Sequence, residues 1–147
     1  MGEVKMSDMT TIRSIEQERA RFAYDHVKSV SKEKYNDKYK SYVKKIPMLI
    51  KTNGLGPTFA FIMSKKREEK ENGPYHSIYE QTTDWLLKDN NPFNINVNND
   101  LVKNIISLDS KTYRLMTNEV LFLFKWIIRF ADGLIEEGSE NDGTGNN

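Results

Sequence analysis

Residues 39–66 read YKSYVKKIPMLIKTNGLGPTFAFIMSKK. Tyr39, Tyr42, Val43, Ile46, Leu49 and Ile50 fall at i, i+3, i+4, i+7, i+10 and i+11, one stripe of a 3.6-residue period, which predicts a helix over 39–52. Lys40, Lys44 and Lys51 fall at i, i+4 and i+11 and share a different stripe, about a third of a turn away. One face is therefore expected to enter a core while the other offers three ammonium groups to a common partner. Pro47 lies inside the run, lacks an N–H and crowds the carbonyl four residues back, so a bend is expected there. Asn53-Gly54 stops the helix, with one of the pair in the left-handed region. A second helix restarts at 55–57, where Pro57 suits the first turn, and turns Phe59, Ala60, Ile62 and Met63 inward. Gly56 is either a plain turn glycine or a point of close backbone approach.

The same period recurs on both sides. Upstream, residues 1–10 read as a flexible extension and a first helix is expected to start between Thr11 and Ser14, with Ser14 and Gln17 as a capping box. Its apolar positions are Ile12, Ile15, Phe22, Ala23, Val27 and Val30, and a charged link, SKEKYNDK, joins it to the second helix. Downstream, SKKREEKENGP is polar; Glu68 and Glu69 are placed to pair with Lys65 or neighbouring bases, and Asn72-Gly73-Pro74 ends the helix. A fourth helix is expected at about 75–87 and a short fifth at about 100–108, the latter with Leu101, Val102, Ile105 and Ile106 on one side. Between them KDNNPFNINVNND reads as loop, although Phe93, Ile95 and Val97 alternate as a short extended piece would. Asp109 or Ser110 is expected to cap the last helix, which runs to about Glu136. That helix carries three apolar stripes: Tyr113 through Leu134, then Leu121, Phe124 and Ile128, then Leu115, Phe122 and Trp126. It is either central to the bundle or partly a protein contact, for which Phe122 and Trp126 are the candidate residues.

The pattern predicts an all-α, single-domain bundle of five to six helices over 11–137, followed by a disordered acidic tail at 138–147. A length of 147 residues suits one domain, and 37 % hydrophobic residues suffice for a core. A mean hydropathy of −0.68 implies a very polar surface. With no cysteine there is no disulfide framework or thiolate chemistry, and no apolar run reaches the ~20 residues of a membrane span. A soluble, cytoplasmic protein is expected.

The net charge of +1 hides a split. Residues 132–147 hold five carboxylates and no Lys or Arg, leaving +6 on residues 1–131. Residues 32–70 hold eleven Lys/Arg against four carboxylates, a net of +7. A basic middle with an acidic tail suits a polyanionic partner, though charged helix faces are also simply solvated.

The usual catalytic constellations are missing. Asn53-Gly54-Leu55-Gly56-Pro57 lacks the Lys-Ser/Thr of a phosphate loop and follows helix rather than strand. No HExxH, Cys/His cluster or calcium loop occurs, so no metal and no cofactor is expected. His26 and His76 read as helix-rim and surface residues, and the chain as a non-enzyme.

Several blocks resemble one family. They are Gln17-Glu18-Arg19-Ala20-Arg21-Phe22-Ala23-Tyr24 with Val27; Tyr39 through Gly56, with Lys-Lys-Ile-Pro and Asn-Gly-Leu-Gly, then Phe59-Ala60-Phe61; Ile106-Ser107-Leu108-Asp109; Tyr113-Arg114; and Leu123 through Trp126 to Phe130-Ala131-Asp132. Over about 11–135 the chain resembles the small α-helical subunit of the Cmr effector complex of type III-B CRISPR immunity. The Asn-rich loop and acidic tail stand outside the likeness. The resemblance implies a non-catalytic subunit that stacks in more than one copy beside other Cmr subunits and lines the channel holding guide RNA paired with target RNA. It implies phosphate contact by Arg19, Lys40, Lys44, Lys45 and Lys51; Lys65, Lys66 and Arg67 are added on charge alone. Contacts of this kind hold the backbone without reading bases, as a subunit serving any guide requires.

Overall fold

The computed structural model describes the backbone of residues 2–88 and 100–136, and side chains from residue 14 onward within them. Among the described residues six helices follow in order: α1 (Gly2–Val30), α2 (Asn36–Asn53), α3 (Leu55–Glu68), α4 (Pro74–Leu86), α5 (Leu101–Ile106) and α6 (Ser110–Leu134). No strand occurs among the described residues, so the all-α bundle read from the periodicity is the fold observed. The Asn-rich loop with Phe93, Ile95 and Val97, residue 137 and the acidic tail at 138–147 lie outside the described residues.

α2 lies at the centre of the connectivity, against α3, α4 and α6, while α1 packs along α6 and α3 packs on α4 and α5. The stripe that defined α2 is the one that enters the core: Tyr39, Val43, Ile46 and Ile50 are buried. Each such side chain contributes about 1.5–3 kcal/mol of apolar transfer. They meet Phe59 and Ile62 of α3, Ile78 and Leu86 of α4, and Met116, Val120, Leu123, Phe124 and Ile127 of α6 in one cluster. α2 runs through Pro47 from Asn36 to Asn53 without a break.

The α2–α3 junction is a single residue. Gly54 caps the end of α2, its N–H bonding the Ile50 carbonyl at 2.8 Å, and precedes the first residue of α3. Its φ of 95° and ψ of 162° fall in a region open essentially to glycine alone. Gly56 admits a side chain rather than a second backbone: its N–H donates to the Tyr113 hydroxyl at 2.9 Å, satisfying a first-turn donor of α3 from α6.

Four local expectations are corrected. α1 begins at Gly2, not between Thr11 and Ser14, so Ser14 sits inside a helix and caps nothing. Glu69 does not pair with Lys65; its carboxylate accepts the N–H groups of Tyr75 and His76, both at 3.0 Å, and caps α4 across the turn. Lys65 pairs with Glu68 at 3.5 Å, as expected for one of the two. Met63 is exposed rather than inward, because the buried stripe of α3 runs through Leu55, Phe59 and Ile62 and leaves it at the edge. Ile106 is likewise exposed, because α5 ends there, while Leu101 and Ile105 are fully buried.

α6 divides by stripe. Met116, Val120, Leu123, Phe124 and Ile127 are buried, whereas Leu115 and Phe122 are about half-exposed, at 51 % and 50 %, and Trp126 is partly buried against Phe130. The helix is thus central to the bundle on two stripes and open on the third. Asp109 caps it, accepting from the Thr112 N–H at 3.3 Å, and hydrogen bonding by Thr112, through its side chain first and its N–H second, holds the carboxyl below the usual carboxylate range.

Candidate nucleic-acid interface

The lysine row on α2 does not present three equivalent ammonium groups. Lys40 is 8 % exposed, and its Nζ donates to the Ile135 carbonyl at 2.9 Å, beyond the C-terminus of α6. Lys44 is bound at 3.0 Å to Asp132, with 42 % of its side chain still exposed. Lys51 is exposed and makes no ion pair with a described carboxylate, and the same holds for Lys45 on an adjacent stripe. The expectation of three cations on one accessible face is corrected. Lys40 flanks the core stripe closely enough that its amine reaches a backbone carbonyl, while Lys44, Lys45 and Lys51 stay outside.

Arg19 also turns inward. Its Nε and Nη2 donate to the Glu119 carboxylate at 2.6 and 2.9 Å, a bidentate pair, and Nη1 reaches Glu16 at 3.1 Å. Glu119 accepts a further bond from Trp85 Nε1 at 3.0 Å, so one carboxylate joins α1, α4 and α6. Donating to the Glu119 carboxylate raises the pKa of the guanidinium above its ordinary value. Nothing local in the sequence marks this pair: its members stand 100 residues apart, and only a buried-face position for both would have signalled it.

The basic run on α3 is mixed. Lys66 pairs with Glu80 at 3.0 Å and lies over the Tyr79 ring at 4.6 Å, and Lys65 lies over Phe61 at 5.8 Å. Arg67 is exposed with no ion pair among the described residues. All three occupy the last turn of α3, where cations also favour the helix dipole.

Both histidines line one open cleft of about 240 Å³ with Glu33, Glu80 and Asp84. His26 Nδ1 lies 2.8 Å from the Phe22 carbonyl and the imidazole stacks on the Phe22 ring, as a helix-rim residue does. Among the described residues no three His, Asp or Glu side chains converge to hold a metal, and no helix is long and apolar enough to cross a membrane.

Among the described residues the bundle thus spreads cations on outward helix faces and holds Arg19, Lys40 and Glu119 in inward hydrogen bonds. The comparisons give it a family. The chain belongs to the CRISPR-associated protein family Cas_Cmr5, whose family model matches residues 15–134. A crystal structure of a CRISPR-associated Cmr5 family protein from Thermus thermophilus superposes with a TM-score of 0.65 at 23 % identity, covering 82 % of this chain and 96 % of that one. At that identity the match speaks to the fold, and it agrees with the all-α bundle described above. The protein is a small Cmr-type CRISPR subunit.

Proposed function

We propose that this chain is a non-catalytic subunit of an RNA-guided type III-B effector, stacked in copies beside other subunits along the guide–target channel and touching RNA backbone through α2. The observation that carries this reading is the placement of Lys44, Lys45 and Lys51 outside the core on a helix whose opposite face is fully packed. Such a helix is rigid, and its amines reach phosphates without contacting base edges. Arg19 and Lys40 already hold internal partners, so they act by fixing α1 and α2 in the bundle. Lys65, Lys66 and Arg67 extend the basic surface onto α3, with Arg67 the most accessible of the three. The setting is the cytoplasm, where the transcripts are.

The test is retention of RNA by the assembled complex carrying Lys44→Glu with Lys51→Glu. Both side chains are outside the core, so the variant folds and assembles, and RNA is lost at lower salt than from wild type. Unchanged retention across a salt titration spanning about 50–300 mM would instead favour a protein-assembly module without RNA contact.

A further inference from the structure

One surface of α6 is not accounted for by the α2 reading. Lys111, Arg114, Asn118, Phe122, Lys125 and Arg129 follow in steps of three or four residues and form one face of the helix, and all six are exposed. None of the four cations is ion-paired with a described carboxylate. The two carboxylates of α6 are engaged elsewhere, Glu119 inward on Arg19 and Trp85, Asp132 on Lys44. Glu16 of α1 is bound by Arg19 and by Trp126 Nε1 at 3.3 Å.

Phe122 sits in the middle of this face. The Arg19 guanidinium lies 5.0 Å from its ring centroid, and Arg19 is itself clamped by Glu119. One face of the ring is therefore backed by a fixed, largely buried cation, and Phe122 as a whole keeps 50 % exposure. Lys125 and Arg129 follow at about 4.5 and 10.5 Å along the axis, and Arg114 precedes at about 12 Å. A protein interface centres on apolar area depleted of charge. Here the exposed apolar part is one ring beside Leu115, bracketed by unpaired cations. Rings interleaved with cations hold a single strand, the cations on phosphates and the ring under a base.

We infer that the outward face of α6 binds single-stranded RNA, with an unpaired base stacked on Phe122 and phosphates held by Arg114, Lys125 and Arg129. The choice of RNA rests on the proposed effector role, but the site does not rest on α2: the surface is another helix and the ligand an unpaired strand.

The experiment uses the full chain and anisotropy of a labelled single-stranded RNA and of its duplex. The variants are Phe122→Leu, Phe122→Trp and Arg114→Gln/Lys125→Gln/Arg129→Gln, each first checked for an unchanged melting curve. Phe122→Leu is expected to weaken single-strand binding about five-fold or more while leaving the duplex unaffected, and Phe122→Trp to preserve binding. The triple variant is expected to flatten the single-strand salt slope by about two. Equal single-strand binding by wild type and Phe122→Leu would overturn the inference, as would an equal loss for strand and duplex. Release of a neighbouring subunit by Phe122→Leu with RNA binding intact would make the face a protein contact and would also overturn it. Failure of the Lys44→Glu/Lys51→Glu test leaves these outcomes unaffected.

Discussion

A methyl group at Gly73 would lie 2.7 Å from the Glu69 carboxylate, the group that caps α4. The glycine is there to admit a neighbour's side chain, since its φ of −134° is open to any residue. Gly73→Ala and Glu69→Ala should therefore remove the same cap. Each is expected to cost about 1 kcal/mol, and the double variant little more than either, which chemical denaturation of the four proteins in a cycle would measure. Tyr39 gives a second prediction. It is fully buried with its hydroxyl donating to Gln81 Oε1 at 2.6 Å, and burial pushes its phenol well above its ordinary pKa. The fold favours the protonated phenol, so this stability is complete below about pH 10 and is lost as pH rises toward the folded value. Tyr39→Phe should be somewhat less stable than wild type at neutral pH, and that gap should close above about pH 10 in denaturant melts. Neither contact could be read from sequence. Glu69 meets α4 only because the chain reverses at Asn72-Gly73, and Gln81 reveals nothing until α2 and α4 are packed.

Between elements, the Arg19–Glu119–Trp85 node ties α1, α4 and α6 at a depth where the Arg19 side chain keeps 12 % exposure. Removing one partner leaves the other charge stranded. Glu119→Ala should cost about 3 kcal/mol or more, and Arg19→Met with Glu119→Met much less than the sum; thermal melts of the cycle would show it. The helices themselves were legible: the stripes of α2 and α6, the Asn53-Gly54 stop and the Asp109 cap all stand where periodicity and capping rules place them. The start of α1 was not: the sequence from Gly2 to Arg13 offers no stop or cap that places it. Nor was the fate of Lys40. A helical wheel gives its angle, but whether a lysine at the margin of a buried stripe points outward depends on a carbonyl 95 residues later. In sequence the third stripe of α6 reads as a candidate protein contact through Phe122 and Trp126, but its cations do not stand out: they alternate with strongly apolar residues, and the apolar signal dominates any window drawn across 113–134.

For the whole molecule, the formal charge says less than where charges are used. Of the eight cations expected to touch RNA, Arg19 and Lys40 serve the fold; Lys44 and Lys66 are bridged to Asp132 and Glu80; Lys65 is bridged to Glu68; and Lys45, Lys51 and Arg67 face outward without a described ion partner. Exposed pairs of this kind are worth about 0–1 kcal/mol, so a phosphate can displace the carboxylate from Lys44 at little cost. RNA affinity of the single subunit should thus be weak and steeply salt-dependent, and stronger in an assembly that aligns several copies. Family membership and fold fix the kind of complex; the α2 surface is how RNA is proposed to be held in it. The decisive measurement is lysine acetylation of the assembled complex, with and without RNA, read residue by residue by mass spectrometry. Lys44, Lys45 and Lys51 are expected to be labelled in the empty complex and protected when RNA is bound, with Lys40 unreactive in both. Equal labelling of Lys45 and Lys51 with and without RNA would refute the α2 surface as the RNA contact.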